Sequence, residues 1–416
     1  MLRASFVQAN SHWVIFAVMA VASLLSYFHQ VGLATVSGEV ATSLGTDAAA
    51  LGLMSAAFSW PYAAMQIPAG LLSDSLGPRK SVTLFLLIAA GGTILFACAT
   101  GLVQALVARV LIGIGISMVA VPFMKLTAVW FPPRDFSKVT ALSFTIGGAG
   151  NWLATSPMAY SAMAYGWRTP FWALSIVTVV CAVLVWIVVR DTPDNSPRSC
   201  SAEKNETLSL TCILKTILAN RQTWILGCWY FCQGGIFFSF VGLWGGQYSM
   251  QVLGKDPTAS GWILSPAACA LMTAPIFTWL AAKIGRKRLL VLLPVCSAVL
   301  AFPLTQEIST LTDPLLCLLF LLFSMAAIGG AAVLFGAAVD QFPVAYSGTV
   351  TGFINMFPFA GGAVLQQGIG ALIEMIVADG ASQGEAFTTA FSLYCLAGLA
   401  AALLGLLYRD TSFWEE

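Results

Sequence analysis

Apolar positions run along this chain in long stretches broken by short polar knots. A helix needs about 20 apolar residues to cross a bilayer, and segments of that length recur throughout. The pattern predicts helices near 12–37, 48–73, 81–99, 101–130, 137–163 and 168–190. A polar segment, Asp191 to Arg221, is rich in Ser, Pro and charge. Six more apolar stretches follow, near 222–250, 258–282, 289–306, 314–339, 347–377 and 386–408. The expected chain is all-α, with twelve transmembrane helices in two bundles of six. The expected divisions are 1–190 for the first bundle, 191–221 for the connection and 222–416 for the second. Only Ala99-Thr100-Gly101 separates the third and fourth spans, which predicts a tight hairpin.

Composition agrees with a lipid environment. The 416 residues are 58% hydrophobic and 9% charged, against roughly 25% charged in a soluble domain. The net charge of +1 is unclustered and excludes the basic surface of a nucleic-acid binder. The ten cysteines lie scattered, without zinc or redox spacing, and read as small core residues. Neither an enzyme signature nor a phosphate-binding loop in a strand–turn–helix context occurs.

Charge fixes an expected orientation. With both termini in the cytoplasm, fifteen of the nineteen Lys and Arg fall inside, while Glu39, Asp47, Glu307, Asp313, Asp379 and Glu385 fall outside. The predicted location is a cell's inner (plasma) membrane, with several passes.

The halves also resemble each other. "LGTDAAALGLMSAAFSW" at 44–60 answers "LGKDPTASGWILSPAAC" at 253–269, and "LGPRK" at 76–80 answers "IGRKR" at 284–288. "VWFPP" at 129–133 and "KVTAL" at 138–142 find weaker counterparts in "DQFPV" and "TVTGF". Six plus six spans in a parallel repeat is the sequence form of an alternating-access transporter.

The stretch "GLLSDSLGPRKS" spends three charges within seven residues. Gly70-x-x-x-Asp74-x-x-Gly77-x-Arg79-Lys80 resembles the loop signature of the major facilitator superfamily. It sits, as that signature does, between the second and third spans. Arg109-x-x-x-Gly113-x-Gly115 resembles a second signature of the superfamily. Ser75 departs from the loop pattern, which has a basic residue there. Ala282 replaces the Asp in the second half. Gly147-Gly148-Ala149-Gly150-Asn151 lacks the Gly-Pro core common in drug antiporters. "FMKLTAVWFPP" followed by "GGAGN" is similar to superfamily members that carry organic anions. The resemblance implies that Gly70, Asp74, Gly77, Arg79 and Lys80 form a conformational latch. Asp74 would face the start of the eleventh helix near Ser347 and favour an outward-open state.

Polar side chains in a span are costly and are expected to face a cavity or a partner helix. Helical spacing puts Ser23, Tyr27, Gln30 and Ser37 on one face of the first span, with His29 at its edge. Ser59, Tyr62 and Gln66 share a face of the second span, and Asn151 lies on a polar face of the fifth. Gln233 lies in the seventh span, and Asn355 and Gln366 lie within about 60° of each other on the eleventh. Each is a candidate for the substrate pathway or for polar glue between helices. Arg109 lies about 12 Å into its span. No Asp or Glu lies deep in any span, so Arg109 must meet carbonyls, an amide, water or a bound anion. Lys125, sixteen residues on, differs from it in azimuth by about 160° on an ideal helix. Up to two fixed positive charges and no central carboxylate favour an anion, and the expected substrate is a small organic carboxylate. His29 is the intramembrane group that titrates near neutrality, hence the candidate proton carrier for a coupled import. A hydrogen-bonded structural His is the alternative. Other readings are an exporter of drugs or metabolites on the same fold, and a non-transporting membrane sensor. No cofactor or metal is expected. The expected partners are a small molecule and the lipid bilayer, and the chain is expected to be a monomer.

Overall fold

Helices account for nearly all of the backbone. The computed structural model describes residues 11–192, 210–306, 308, 310–342 and 347–410. Twelve rods are present among them. The first half holds α1 (Ser11–Leu44), α2 (Ala48–Ala64 and Gln66–Ser75) and α3 (Pro78–Ala97). It continues with α4 (Leu102–Ser117 and Ala120–Trp130), α5 (Pro133–Leu153 and Ser156–Tyr165) and α6 (Arg168–Val188). The second half opens with α7 (Arg221–Ser239, a π turn over Phe240–Trp244, then Gly245–Gln251) and α8 (Pro257–Ala268, a 3-10 turn over Cys269–Thr273, then Ala274–Ile284). It continues with α9 (Arg286–Ala301) and α10 (Asp313–Ile328 and Ala331–Val339), then α11 (Ser347–Ala378) and α12 (Gln383–Ala390 and Ser392–Leu407). Ten of the rods are long and apolar enough to cross a membrane by length and composition alone. The other two are α2, broken at Met65, and α5, whose start Pro-Arg-Asp-Phe-Ser-Lys is polar.

Breaks follow local chemistry. Pro61 and Pro266 each remove a helical N–H donor, and α2 and α8 tighten within a turn of them. Asp47 caps α2 by accepting from the Ala50 amide at 2.7 Å, and Asp256 caps α8 by accepting from Thr258 at 2.8 Å and Ala259 at 3.0 Å. The α3–α4 hairpin is closed by Gln104, whose amide donates to the carbonyls of Leu95 and Cys98. The segment expected to be a polar connection contains a helix, Leu210–Ala219, with Ile217 buried. Pooling its ten residues with the charged stretch before it hid an apolar run.

The repeat is visible in the packing. In the first half α1 packs on α5, α2 on α4, and α3 on α4 and α6. In the second, α7 packs on α11, α8 on α10, and α9 on α10 and α12. Every backbone position with positive φ among the described residues is a glycine, and these fall into three pairs. Gly45 and Gly254, Gly77 and Gly285, and Gly166 and Gly380 each lie about 210 residues apart at matching turns. Between the halves, α2 packs on α11, α5 on α8, and α1 on α7. The peripheral helices carry the exposed apolar surface, such as Ile176 and Ile187 on α6, Leu292 and Val299 on α9, and Leu399 and Leu403 on α12. In water such a surface would drive aggregation; in lipid it costs nothing.

The two ends of the bundle differ. The first described turn of α1, the Arg190 and Asp191 that follow α6, the start of α7 and the end of α12 lie at one face, here the linker face; the other is the far face. Glycines record how closely the halves approach. A Cβ on Gly370 of α11 would sit 2.7 Å from the Ala48 carbonyl oxygen of α2, and one on Gly246 of α7 2.7 Å from the Ala34 carbonyl oxygen of α1. A Cβ on Gly52 would collide with the Gln366 carbonyl. Toward the linker face the gap widens. Gly352 would reach only within 3.6 Å of the Gln66 carbonyl oxygen, and Gly70 meets nothing within 4 Å. Where α2 meets α11 the halves are closed at the far face and diverge toward the linker face, while beside α1 a cavity of about 430 Å³, lined by Thr35, Gly38, Glu39, Met250 and Pro257, lies between them at the far face.

Candidate functional site

Among the described residues, and apart from the Asp47 and Glu374 carboxyls near the far face, the polar groups at the interface between halves are neutral. From α11, Asn355 Nδ2 donates to Gln66 Oε1 of α2 at 2.9 Å. Gln366 accepts from Ser59 Oγ of α2 at 3.3 Å and donates to the Phe238 carbonyl of α7 at 3.0 Å. The Trp244 indole of α7 donates to the Gln366 carbonyl at 3.2 Å. On the other flank, Asn151 Nδ2 of α5 donates to the Ala268 carbonyl of α8 at 3.5 Å, and its buried Oδ1 has no partner. Thr155 and Ser156 each share the Ser265 hydroxyl of α8 at 2.8 Å.

Aromatic rings fill the space between these bonds. The Tyr62 and Phe359 rings meet across the halves with centroids 4.0 Å apart. Phe359 stacks on Phe238 at 4.7 Å and 16°, and Phe58 stacks behind Tyr62 at 5.9 Å. Gln66 Nε2 donates to the Tyr62 backbone carbonyl at 3.2 Å, the Tyr62 hydroxyl lies near Gln66 and Ser26, and Tyr27 and Tyr230 are close to it. The Tyr27 ring fits against Gly147 of α5, where any Cβ would collide. The Gln30 backbone carbonyl lies near Gly242 in the π turn of α7.

Arg109 sits inside the first half, 1% exposed. Its Nε donates to the Met54 carbonyl of α2 at 3.2 Å and its Nη1 to the His29 carbonyl of α1 at 3.3 Å. The guanidinium lies over the Phe58 ring, 4.8 Å from its centroid, and its buried Nη2 has no partner. Of the four acceptors open to it in the sequence, the structure places carbonyls. Lys125 donates to the Ser73 carbonyl of α2 at 3.0 Å. The ideal-helix azimuth between Arg109 and Lys125 does not apply, because α4 breaks at Met118 and Val119.

Two candidates face away from the interface. His29 Nε2 lies 3.2 Å from the Thr178 hydroxyl of α6. That hydroxyl already donates to the Leu174 carbonyl, so the ring nitrogen is the donor. Gln233 donates to the Ser297 hydroxyl of α9 at 2.9 Å, within the second half. Tyr62, Gln66, Asn355 and Gln366 meet at the α2–α11 seam, and Asn151 lies at the α5–α8 seam.

The α2–α3 turn is held within its own half. Gly77 has φ 82° and abuts the Asp191 carboxylate, which also accepts from the Arg79 amide at 2.8 Å. The Arg79 guanidinium lies over the Trp186 ring and donates from Nε to the Trp186 carbonyl at 2.7 Å. Lys80 is exposed, and a Cβ on Gly70 would meet open space. The side chains of Asp74 and Ser347, the two ends of the expected latch, lie outside the described residues.

The sequence reading missed Ser265, Phe238, Phe359 and Tyr230. The repeat offered no signal for them: at its shift of 209 residues Ser265-Pro266 answers Ala56-Ala57.

A family description, Major Facilitator Superfamily, matches residues 16–366. The chain belongs to the Major Facilitator Superfamily. It is a secondary transporter and not an enzyme. Among similar superfamily proteins is the uncharacterized transporter YybO of Bacillus subtilis (strain 168), 23% identical over 62% of each chain. The probable sulfoacetate transporter SauU of Cupriavidus necator is 29% identical over 46% of this chain and 45% of its own. These matches span less than two thirds of either relative. The probable galactarate/D-glucarate transporter GudP of Escherichia coli (strain K12) is 23% identical over 88% of each. A solved D-xylose–proton symporter has the same superfamily fold, with a TM-score of 0.77, 15% identity, and coverage of 96% of this chain and 98% of that one. An inward-facing, occupied bacterial homolog of the human lysosomal transporter Spinster superposes with a TM-score of 0.73 at 14% identity, over 97% of this chain and 98% of that one.

Proposed function

We propose that this chain imports a small organic anion, a carboxylate, by alternating access. The observation that carries the reading is the sign of the interior. Arg109 is buried in the first half, and Lys125 lies further along the same helix. Asp47, Asp191, Asp256, Asp313, Asp340, Glu374 and Asp410 stand at helix ends or beyond them. A cationic substrate would need an interior carboxylate to offset its desolvation. The names of SauU and GudP, acid transporters by description, support the same substrate class.

In this reading 1–190 and 222–416 are the moving units and 191–221 joins them. The linker face is cytoplasmic in an inner membrane, the unit is a monomer, and protons are the coupling ion. Uptake into proteoliposomes of a panel of labelled carboxylates tests it. Arg109→Gln and Lys125→Gln should each abolish or sharply reduce carboxylate uptake; unchanged uptake in both variants would refute the anion reading. Thiol labelling of a cysteine placed at Arg409, from either side of the membrane, tests the orientation.

A further inference from the structure

Resting on the anion reading, the lining at the interface narrows the substrate further. We propose that the site takes a flat aromatic monocarboxylate, of benzoate or phenylacetate size, in preference to a polyhydroxylated diacid.

Five helices send rings to one place. Tyr62 and Phe58 come from α2, Phe359 from α11, Phe238 and Tyr230 from α7, Tyr27 from α1 and Phe335 from α10. The ring series Phe58–Tyr62–Phe359–Phe238, stacked at both ends and tilted by 36° between Tyr62 and Phe359, crosses from one half to the other, and Tyr230 meets Phe335 edge-on at 5.6 Å. Tyr62 and Phe359 are each 5% exposed and touch each other only because the far face is closed. Tyr27, Phe335 and Asn355 below them are half-buried, toward the side where the halves diverge. Rocking the halves apart parts Tyr62 from Phe359 and leaves two ring faces with nothing against them. A flat ring restores that offset stacking; a chain of hydroxyls cannot.

Charge sets the number of carboxylates. Arg109 terminates the stack, its guanidinium on Phe58 and its Nη2 without a partner. Gln66 and Asn355 supply amide donors, and Tyr62 a hydroxyl, beside the rings. Among the described residues the guanidinium is the cation that reaches the ring series, Lys125 lying further along α4 on the Ser73 carbonyl, and with a few neutral donors it suits one carboxylate. A second carboxylate would be buried without a counter-charge, which is strongly unfavourable. A sugar diacid also brings several hydroxyls, each needing a partner, and among the described residues beside the rings only the amides and hydroxyls of residues such as Ser59, Gln66, Asn355 and Gln366 are at hand, already bonded to one another or to backbone.

The test is equilibrium binding to the purified full chain in lipid nanodiscs. Benzoate, phenylacetate, acetate, D-glucarate, benzylamine and benzyl alcohol are titrated against wild type, Phe359→Leu and Phe238→Leu. The expected result is that benzoate or phenylacetate binds at least tenfold more tightly than D-glucarate and acetate. Phe359→Leu should weaken the aromatic acids by about tenfold and leave acetate unchanged. If D-glucarate binds as well as the aromatic acids or better, the aromatic proposal is overturned and the anion reading stands. If benzylamine or benzyl alcohol binds and no carboxylate does, the anion reading fails with it. Binding of no compound to wild type overturns the proposal. The wild-type series decides even if a variant fails to fold.

Discussion

Gly52→Ala should prise open the far face. Gly52 is buried on α2 where that helix crosses α11. The added Cβ would collide with the Gln366 carbonyl oxygen, and would lie 3.2 Å from its carbon and 3.4 Å from the Gln367 Cα. All three atoms are backbone, so no side chain can swing aside. The helices must separate by about 1 Å, or the far face must part. Overpacking of this kind costs about 1–3 kcal/mol. The cost falls on the closed arrangement alone, because α2 and α11 part when the far face opens. It therefore shifts the equilibrium by about 5- to 150-fold toward the far-face-open state. Ala is itself a better helix former than Gly, by about 1 kcal/mol, so the backbone of α2 gains from the change. The assay is labelling of Thr35→Cys by a membrane-impermeant thiol reagent in a cysteine-depleted background. Thr35 is 3% exposed on α1 near the far face. Gly70→Ala is the control, since its Cβ meets nothing within 4 Å. Labelling that rises no further in Gly52→Ala than in Gly70→Ala would refute the closed-far-face reading.

Other changes test other joints. Arg109→Gln should remove two charge-assisted bonds, to the His29 and Met54 carbonyls, which keep their own helical N–H donors, and lower stability by about 1.5–3 kcal/mol for each bond lost; thermal unfolding in detergent measures it. His29→Gln should abolish accumulation driven by a pH gradient while leaving counterflow of unlabelled substrate intact; full accumulation would remove His29 from the coupling. Gln66→Leu and Asn355→Leu should show a coupling of about 0.5–1.5 kcal/mol in a double-mutant cycle, because each loses the same 2.9 Å bond. Asp47 and Glu374 lie close to each other across the halves at the far face. Two ionised carboxyls repel there, so Glu374→Gln should favour closure and lower Thr35→Cys labelling relative to the chain that keeps Glu374.

Much of the fold was legible in the sequence because a bilayer imposes strong patterns. Apolar length marks the rods, and the repeat marked the turns, down to Gly77 and Gly285 at equivalent positions. Gln66, Asn355 and Gln366 stood out because an amide in a span is rare. The hidden part has two causes. An ideal helix was the ruler for faces, and the real helices break at Met65, at Met118–Val119, at Thr155 and in the π turn Phe240–Trp244. Each break rotates the residues beyond it relative to those before. Faces drawn on a straight helix also name no partner, and His29 and Gln233 reach Thr178 and Ser297 within their own halves. The second cause is background. With 27 Phe and 9 Tyr in the chain, nothing distinguished Phe238, Phe359 and Tyr230 from lipid-facing rings until three dimensions stacked them.

The distribution of bond types bears on how such a chain moves. Arg79, Arg109, Arg168, Lys255 and Arg286 all tie helices of their own half. Arg168 donates to Ser43 and Ala99, Lys255 pairs with Asp313 at 2.6 Å, and Arg286 pairs with Asp340 at 2.5 Å. Although the two ion pairs are partly exposed and individually weak, together with the Arg79 and Arg109 bonds they brace each half. Among the described residues the bonds between halves are amide or hydroxyl contacts, each worth about 0.5–1.5 kcal/mol net and each replaceable by water or substrate. Where charged groups do meet across the interface, at Asp47 and Glu374, both are carboxyls, whose repulsion when ionised opposes closure. Strong ties within and weak or repulsive ones between let two braced bodies rock about α2–α11 and α5–α8 without breaking either body. Charge placed across that seam, unless it were a like pair, would lock one state.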